Sequence, residues 1–223
     1  FEELRFDDPA LTCVPVAYLI TTVGSARRAS YMHQLRTFRP TRVVVVVHNR
    51  GFRACRKPGV HSASQDLWHA NQCVARASGD APLVLLLEDD VEFASHFRAM
   101  CRMIDRFVWQ RRRARLAYSL GAFGHVCVPH DANHVRLLVG GMAQAVIYSR
   151  AALATFATMH VGPREVHDLK LLTALESYAP RRPCAYQRYE RTENALSWDA
   201  LGVVAFLYRA CGNDPAAYFA FLH

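Results

Sequence analysis

No apolar run in the sequence approaches the roughly 18–20 residues that cross a bilayer. The longest, near residues 43–47 and 82–87, are strand length. The seven cysteines (Cys13, Cys55, Cys73, Cys101, Cys127, Cys184 and Cys211) include no C-x-x-C pair. That argues against a structural zinc site and a thioredoxin-like motif. Their odd number and wide scatter do not read as a disulfide framework, so reduced thiols are expected. No N-x-[ST] sequon occurs, and a cytoplasmic location is favoured. The chain opens at Phe1 rather than Met, so a trimmed signal or anchor is compatible with it, and then the ER or Golgi lumen. Internal repeats, low-complexity tracts and a clear linker are lacking too. One domain over residues 1–223 is expected, with halves 1–93 and 94–223.

What is present suits a globular chain. Of 223 residues, 52% are apolar and 21% charged, with a net charge of +8. A basic surface attracts anions in general, and charge alone does not choose among nucleic acid, acidic membrane and diphosphate substrates.

Three short apolar runs read as buried parallel strands: Val14–Thr22, Arg42–His48 and Pro82–Leu87. Between them, Ala26–Phe38 and Ser62–Ala77 carry apolar residues at helical intervals, with Ser62 or Ser64 as a cap. Strand–helix–strand–helix–strand predicts an α/β fold with a doubly wound, mostly parallel, Rossmann-like sheet flanked by helices. Helices are expected further on, over Ala94–Arg106, Ala151–Met159, Val166–Tyr178 and Ala200–Ala210. Strand-like stretches fall in Arg115–Val128 and in Val135–Ser149, the latter interrupted at Gly140–Gly141.

The strongest chemical feature is residues 85–93, LLLEDDVEF. A buried strand runs directly into Glu88, Asp89 and Asp90. Ligands of open α/β sheets bind outside the carboxyl ends of strands. Three adjacent carboxylates repel one another unless something neutralises them, and a divalent cation does so most simply. Mg²⁺ or Mn²⁺ takes oxygen ligands and leaves positions open for substrate phosphates. Alternation would point Glu88 and Asp90 to one side and Asp89 to the other. Asp90 is then the expected direct ligand, with Glu88 acting through water or ribose. The competing reading is a solvated acidic turn.

A strand followed by such a carboxylate motif resembles the GT-A glycosyltransferases. Residues 65–93 (QDLWHANQCVARASGDAPLVLLLEDDVEF) resemble glycosyltransferase family 25 and its viral and bacterial relatives. Ile20–Arg28 resembles that family's first-strand loop, with Thr21 and Thr22 in place of its N-L-D-R form. Gly140–Ser149 resembles its acceptor-side segment. Asp168–Leu171, Pro183 and Gln187 resemble its later D-x-x-L, P and Q. The resemblance implies a GT-A-like fold and transfer of a sugar from a nucleotide-sugar donor to a glycan or protein-glycan acceptor, with Mn²⁺ or Mg²⁺ as cofactor.

Thr21, Thr22, Arg27 and Arg28 then become candidates for base, ribose or phosphate contacts, although both arginines also suit a solvated helix face. Asp168, at an expected helix start, is the candidate base for an inverting reaction; a first-turn acid facing the helix dipole is its plainer reading. Glu193 is held in reserve. Gly141 would let backbone approach a sugar, or simply form a bulge. Gln187 joins the donor-site candidates.

His130, Asp131 and His134 have ligand-like spacing without an evident third or fourth ligand. Arg111, Arg112, Arg113 and Arg115 read as a solvated face or as a contact to an anionic acceptor, phosphate or membrane surface. Trp68 reads as core. Two other functions stay open: a nucleotidyltransferase of similar fold, and a non-catalytic basic binding module. Nucleic acid is not expected, since no aromatics interleave with the arginines.

Overall fold

A computed structural model describes residues 1–121, 123–141, 145–160, 162 and 167–187. Its elements are β1 (Glu2–Arg5), β2 (Val16–Thr22), α1 (Arg28–Phe38), β3 (Val43–Asn49), α2 (Ala63–Ala77), β4 (Leu83–Glu88), β5 (Val91–Phe93), α3 (Phe97–Gln110), β6 (Leu116–Ser119), β7 (Phe123–Pro129), β8 (His134–Gly141), β9 (Ala145–Ser149), α4 (Arg150–Thr158), α5 (His167–Ala174), β10 (Glu176–Pro180) and β11 (Ala185–Gln187).

Nine strands form one sheet in the order β1-β3-β2-β4-β9-β6-β10-β8-β7, and β11 pairs with β5 in a small second sheet. The expected βαβαβ unit is there. β2 is parallel to both β3 and β4, with Ile20 opposite Val47 on one side and Glu88 on the other. Alternate residues of β4 supply the two cores. Leu83, Leu85 and Leu87 face the layer of α1 and α3, while Val84 and Leu86 face that of α2 and α4. A strand covered on both faces has no polar side to show, which is why these runs are continuously apolar.

Helix ends follow local chemistry. Ser62 caps α2 by accepting from Gln65 N (3.1 Å), and Gln65 Oε1 accepts from His61 N (2.8 Å). α1 ends where Arg39 turns left-handed (φ 46°), just ahead of Pro40, which cannot continue a helix. Ser149 Oγ caps α4 through Ala152 N (3.2 Å) and accepts from Leu116 N (3.1 Å), pinning α4 to β6.

Three expectations change. β9 runs antiparallel between β4 and β6, so the sheet is mixed, with six of its nine strands (β2, β3, β4, β6, β7 and β10) running in one direction. The helix expected through Tyr178 stops at Ala174, and Glu176–Pro180 becomes strand β10. Buried between β6 and β8, that segment gains two ladders of hydrogen bonds that a helix there would forfeit. α3 starts and ends later than expected, spanning Phe97–Gln110. Residues 200–210 lie outside the described residues.

Candidate functional site at the sheet switch point

The order β3-β2-β4 makes β2 the point where the winding reverses. The crossover through α1 packs on one face of the sheet, and the crossover through α2 packs on the other. The crevice between the carboxyl ends of β2 and β4 is therefore a topological switch point, where open α/β sheets bind ligands. Thr21 and Thr22 end one wall of this crevice and Glu88 the other.

The chain turns immediately after Glu88. Asp89 and Asp90 lie in that turn, and β5 begins at Val91. The expected two-and-one alternation therefore does not apply to them, since a turn breaks the strand period. Both face Arg27: its Nη1 is 2.7 Å from Asp89 Oδ1 and 3.9 Å from Asp90 Oδ2. Asp89 Oδ2 accepts from Thr21 Oγ1 (2.6 Å) and Ser25 Oγ (3.0 Å). Ser25 Oγ also accepts from Arg27 N (3.2 Å). The β2–α1 loop is thus folded down onto the carboxylates. Gly24, in the left-handed region (φ 73°), makes that turn without a Cβ penalty. The Arg27, Asp89 and Asp90 side chains are only 15%, 13% and 4% exposed, so these charges interact more strongly than they would in open water.

A second polar group lies on the β3 side. Asp66, 2% exposed in the first turn of α2, accepts from Lys57 Nζ (2.5 Å) and Asn49 Nδ2 (2.9 Å). Lys57 Nζ also donates to Asn49 Oδ1 (2.7 Å). Asn49 O in turn accepts from Val23 N (2.9 Å), so the two groups share the β2–α1 loop. The sequence reading missed this trio. Its available signal was an aspartate at a core-facing helix position, which demands a partner.

The other candidates divide. Thr22 ends β2 opposite Asn49. Gln187 on β11 stands opposite Val91, the residue after Asp90, so the backbone brings it beside the carboxylate turn. Arg28 goes elsewhere, pairing at the surface with Glu2 (3.1 Å). Gly141 ends β8 opposite Phe123, and four residues later Ala145 stands opposite Leu87 of β4. Asp168 is the second residue of α5, which packs against β8 and β10. Glu193 lies outside the described residues.

For a metal, the donor chemistry is suitable: the carboxylates of Glu88, Asp89 and Asp90 and two hydroxyls offer oxygen only. Among the described residues no three of His, Cys, Asp and Glu converge as a preformed ligand set. A cation held there would take one or two carboxylates and would need further oxygens, such as substrate phosphates, to fill its shell.

No protein-family model matches the chain, and no curated protein matches it. Among solved structures it is similar to A197 from STIV, at 11% identity and a TM-score of 0.49, over 81% of this chain and 87% of that one. Similarity to an apo UDP-glucose pyrophosphorylase is at 10% identity and a TM-score of 0.43, over 78% and 76%. For a CMP:2-keto-3-deoxy-manno-octonic acid synthetase complexed with CTP the values are 12% and 0.39, over 86% and 98%.

Proposed function

We propose that the chain is a metal-dependent glycosyltransferase using a nucleotide-sugar donor. The observation that carries this reading is the carboxylate turn at the switch point, with the β2–α1 loop folded onto it through Thr21, Ser25 and Arg27. Asp90, with Glu88, would hold Mn²⁺ or Mg²⁺, which supplies positive charge to a departing diphosphate. Asp89 has a different role from its neighbours: it orients Arg27 and Ser25 at the mouth of the crevice. Arg27, held between two carboxylates, is placed to turn its guanidinium toward a phosphate. Thr22 and Gln187 flank the donor. In an inverting transfer the acceptor oxygen bonds to the anomeric carbon, the bond to the diphosphate breaks, and the acceptor proton passes to Asp168.

Nucleotidyl transfer is the second reading. It is favoured by the short loop of residues 23–27, which sits over Asp89 where a phosphate loop would.

The test is thermal unfolding against a panel of nucleoside diphosphates, nucleotide-sugars and nucleoside triphosphates, each with Mn²⁺ or EDTA. A ligand at about 100 times its Kd stabilises by about 2.7 kcal/mol, or roughly 5–10 °C for a chain of this size. One nucleotide-sugar is expected to give such a shift with metal only, and Asp90→Ala is expected to abolish it. Release of nucleoside diphosphate then marks glycosyl transfer, and release of pyrophosphate from a triphosphate marks nucleotidyl transfer. No shift with any nucleotide under either condition would leave a binding module without this site.

A further inference from the structure

Helix α3 has two unlike faces. Phe97, Cys101, Ile104, Phe107 and Val108 are buried against the sheet. On the opposite face Arg98, Arg102, Arg106 and Trp109 follow one another at helical spacing, all exposed, and Arg113 continues the row in the next turn. Residues 97–115 hold seven arginines and a single acid, Asp105. That acid is already engaged, accepting from Thr12 N and Thr12 Oγ1, both at 2.7 Å. Arg98 pairs with Asp8 (2.7 Å). Among the described residues, Arg102, Arg106 and Arg113 have no ion-pair partner.

Like charges four residues apart destabilise a helix, so Arg98, Arg102 and Arg106 form a row that works against folding. Trp109 is 44% exposed, with the Arg112 guanidinium 4.0 Å above its ring. From Arg98 to Trp109 the row is roughly 16 Å long and lies on one side of one helix. A flat, phosphate-dense partner would neutralise all of it at once.

We infer that this face of α3 docks on an anionic phospholipid surface. The arginines meet lipid phosphates, to which a guanidinium donates in pairs, and Trp109 enters the headgroup layer, where tryptophan is enriched. A nucleic acid fits less well: single strands are held by successive aromatic platforms, and this row offers one aromatic ring. No helix among the described residues is long and apolar enough to cross a membrane, so the contact is peripheral. It needs neither the metal nor the nucleotide site.

The experiment is co-sedimentation of the whole chain with phosphatidylcholine vesicles, with or without about 30% phosphatidylserine, at low and high salt. Binding is expected only to the anionic vesicles. It should weaken with salt and shift Trp109 emission to the blue, a change lost in Trp109→Phe. Arg102→Glu/Arg106→Glu/Arg113→Glu should lower partitioning by roughly a hundredfold. Exposed Arg76→Glu, on α2 across the sheet from α3, should leave it near the wild-type level. The triple reversal lies on the solvent face and removes no buried contact, so its melting temperature should stay near the wild-type value, and lost binding can then be told from lost folding. Equal binding of the triple variant, equal binding to neutral vesicles, or binding to RNA in the absence of vesicle binding would each overturn the inference.

Discussion

Among the described residues, His134 shows how burial converts one side chain into a pH response. It is 5% exposed, stacked on Phe107 with ring centroids 4.0 Å apart. Nδ1 is 2.8 Å from Asp131 Oδ1, and Nε2 is buried with no hydrogen-bond partner. Desolvation lowers its pKa below the ordinary 6.5, against the pull of Asp131 and aided by Arg111 and His130. A base with a depressed folded pKa binds fewer protons folded than unfolded. Its contribution is complete above about 6.5 and is lost as pH falls from there toward the folded value. Asp131 does not confuse that window. Desolvation raises its pKa, but hydrogen bonds from Asn133 N and His134 outweigh this, and its lowered value acts only below 3.8. The melting temperature is therefore expected to drop as pH falls below about 6.5, and His134→Phe to flatten that drop. An identical slope in the variant would assign the dependence to other histidines. The ligand-like spacing of His130, Asp131 and His134 belongs to a loop in which Asp131 bonds to His134. Asp131 Oδ1 accepts from Asn133 N (2.7 Å) and His134 N (2.9 Å), so its first role is to hold a turn.

Elements far apart in sequence complete the candidate site. β11 lies across the end of β6, with Cys184 N and Ala185 N both donating to Leu120 O (2.9 and 3.2 Å). Its pairing with β5 then sets the chain that follows Asp90. This crossing needs Gly121, because a Cβ there would overlap the Ala185 carbonyl, which is backbone and has no rotamer by which to yield. Gly121→Ala is expected to cost about 3 kcal/mol and to weaken the metal-dependent nucleotide response, measured by denaturant unfolding and by the thermal panel. Full stability in the variant would mean that β11 does not need to pass so close. The pairing of this strand was not legible beforehand, since three residues carry too little pattern to name a partner. β10 failed to show for a related reason. Leu171, Leu172, Leu175 and Tyr178 continue a helical spacing, and only the pairing of Tyr178 with Tyr118, sixty residues earlier, makes Glu176–Pro180 a strand. By contrast Val43–Val47 and Leu83–Leu87 were readable because burial on both faces leaves one composition.

Across the whole molecule, the local unit and the sheet have different limits. The βαβαβ half was legible because its strands and helices alternate within 93 residues and carry their own periodicities. The location of the carboxylates at its switch point followed from that order. The join to the second half did not, because β9 reaches β4 only through a return of some sixty residues. That join bears on stability. Leu83, Leu85 and Leu87 pair with Ser149, Ile147 and Ala145, and all three leucines are at most 1% exposed. Cut at residue 93, the chain would keep the candidate-site residues Thr21, Arg27 and Asp90 but present β4 as an apolar, unpaired edge. It would also lose the α3 and β11 side chains that cover one core, including Phe97, Ile104 and Ala185. Exposed edges of that kind pair with other chains. Residues 1–93 expressed alone are therefore expected to aggregate, or to unfold without a cooperative transition by circular dichroism, and to show no metal-dependent response to nucleotides. A monomeric fragment that melts cooperatively and still responds would make the first half a domain in its own right, with β9 an addition to a sheet already stable without it.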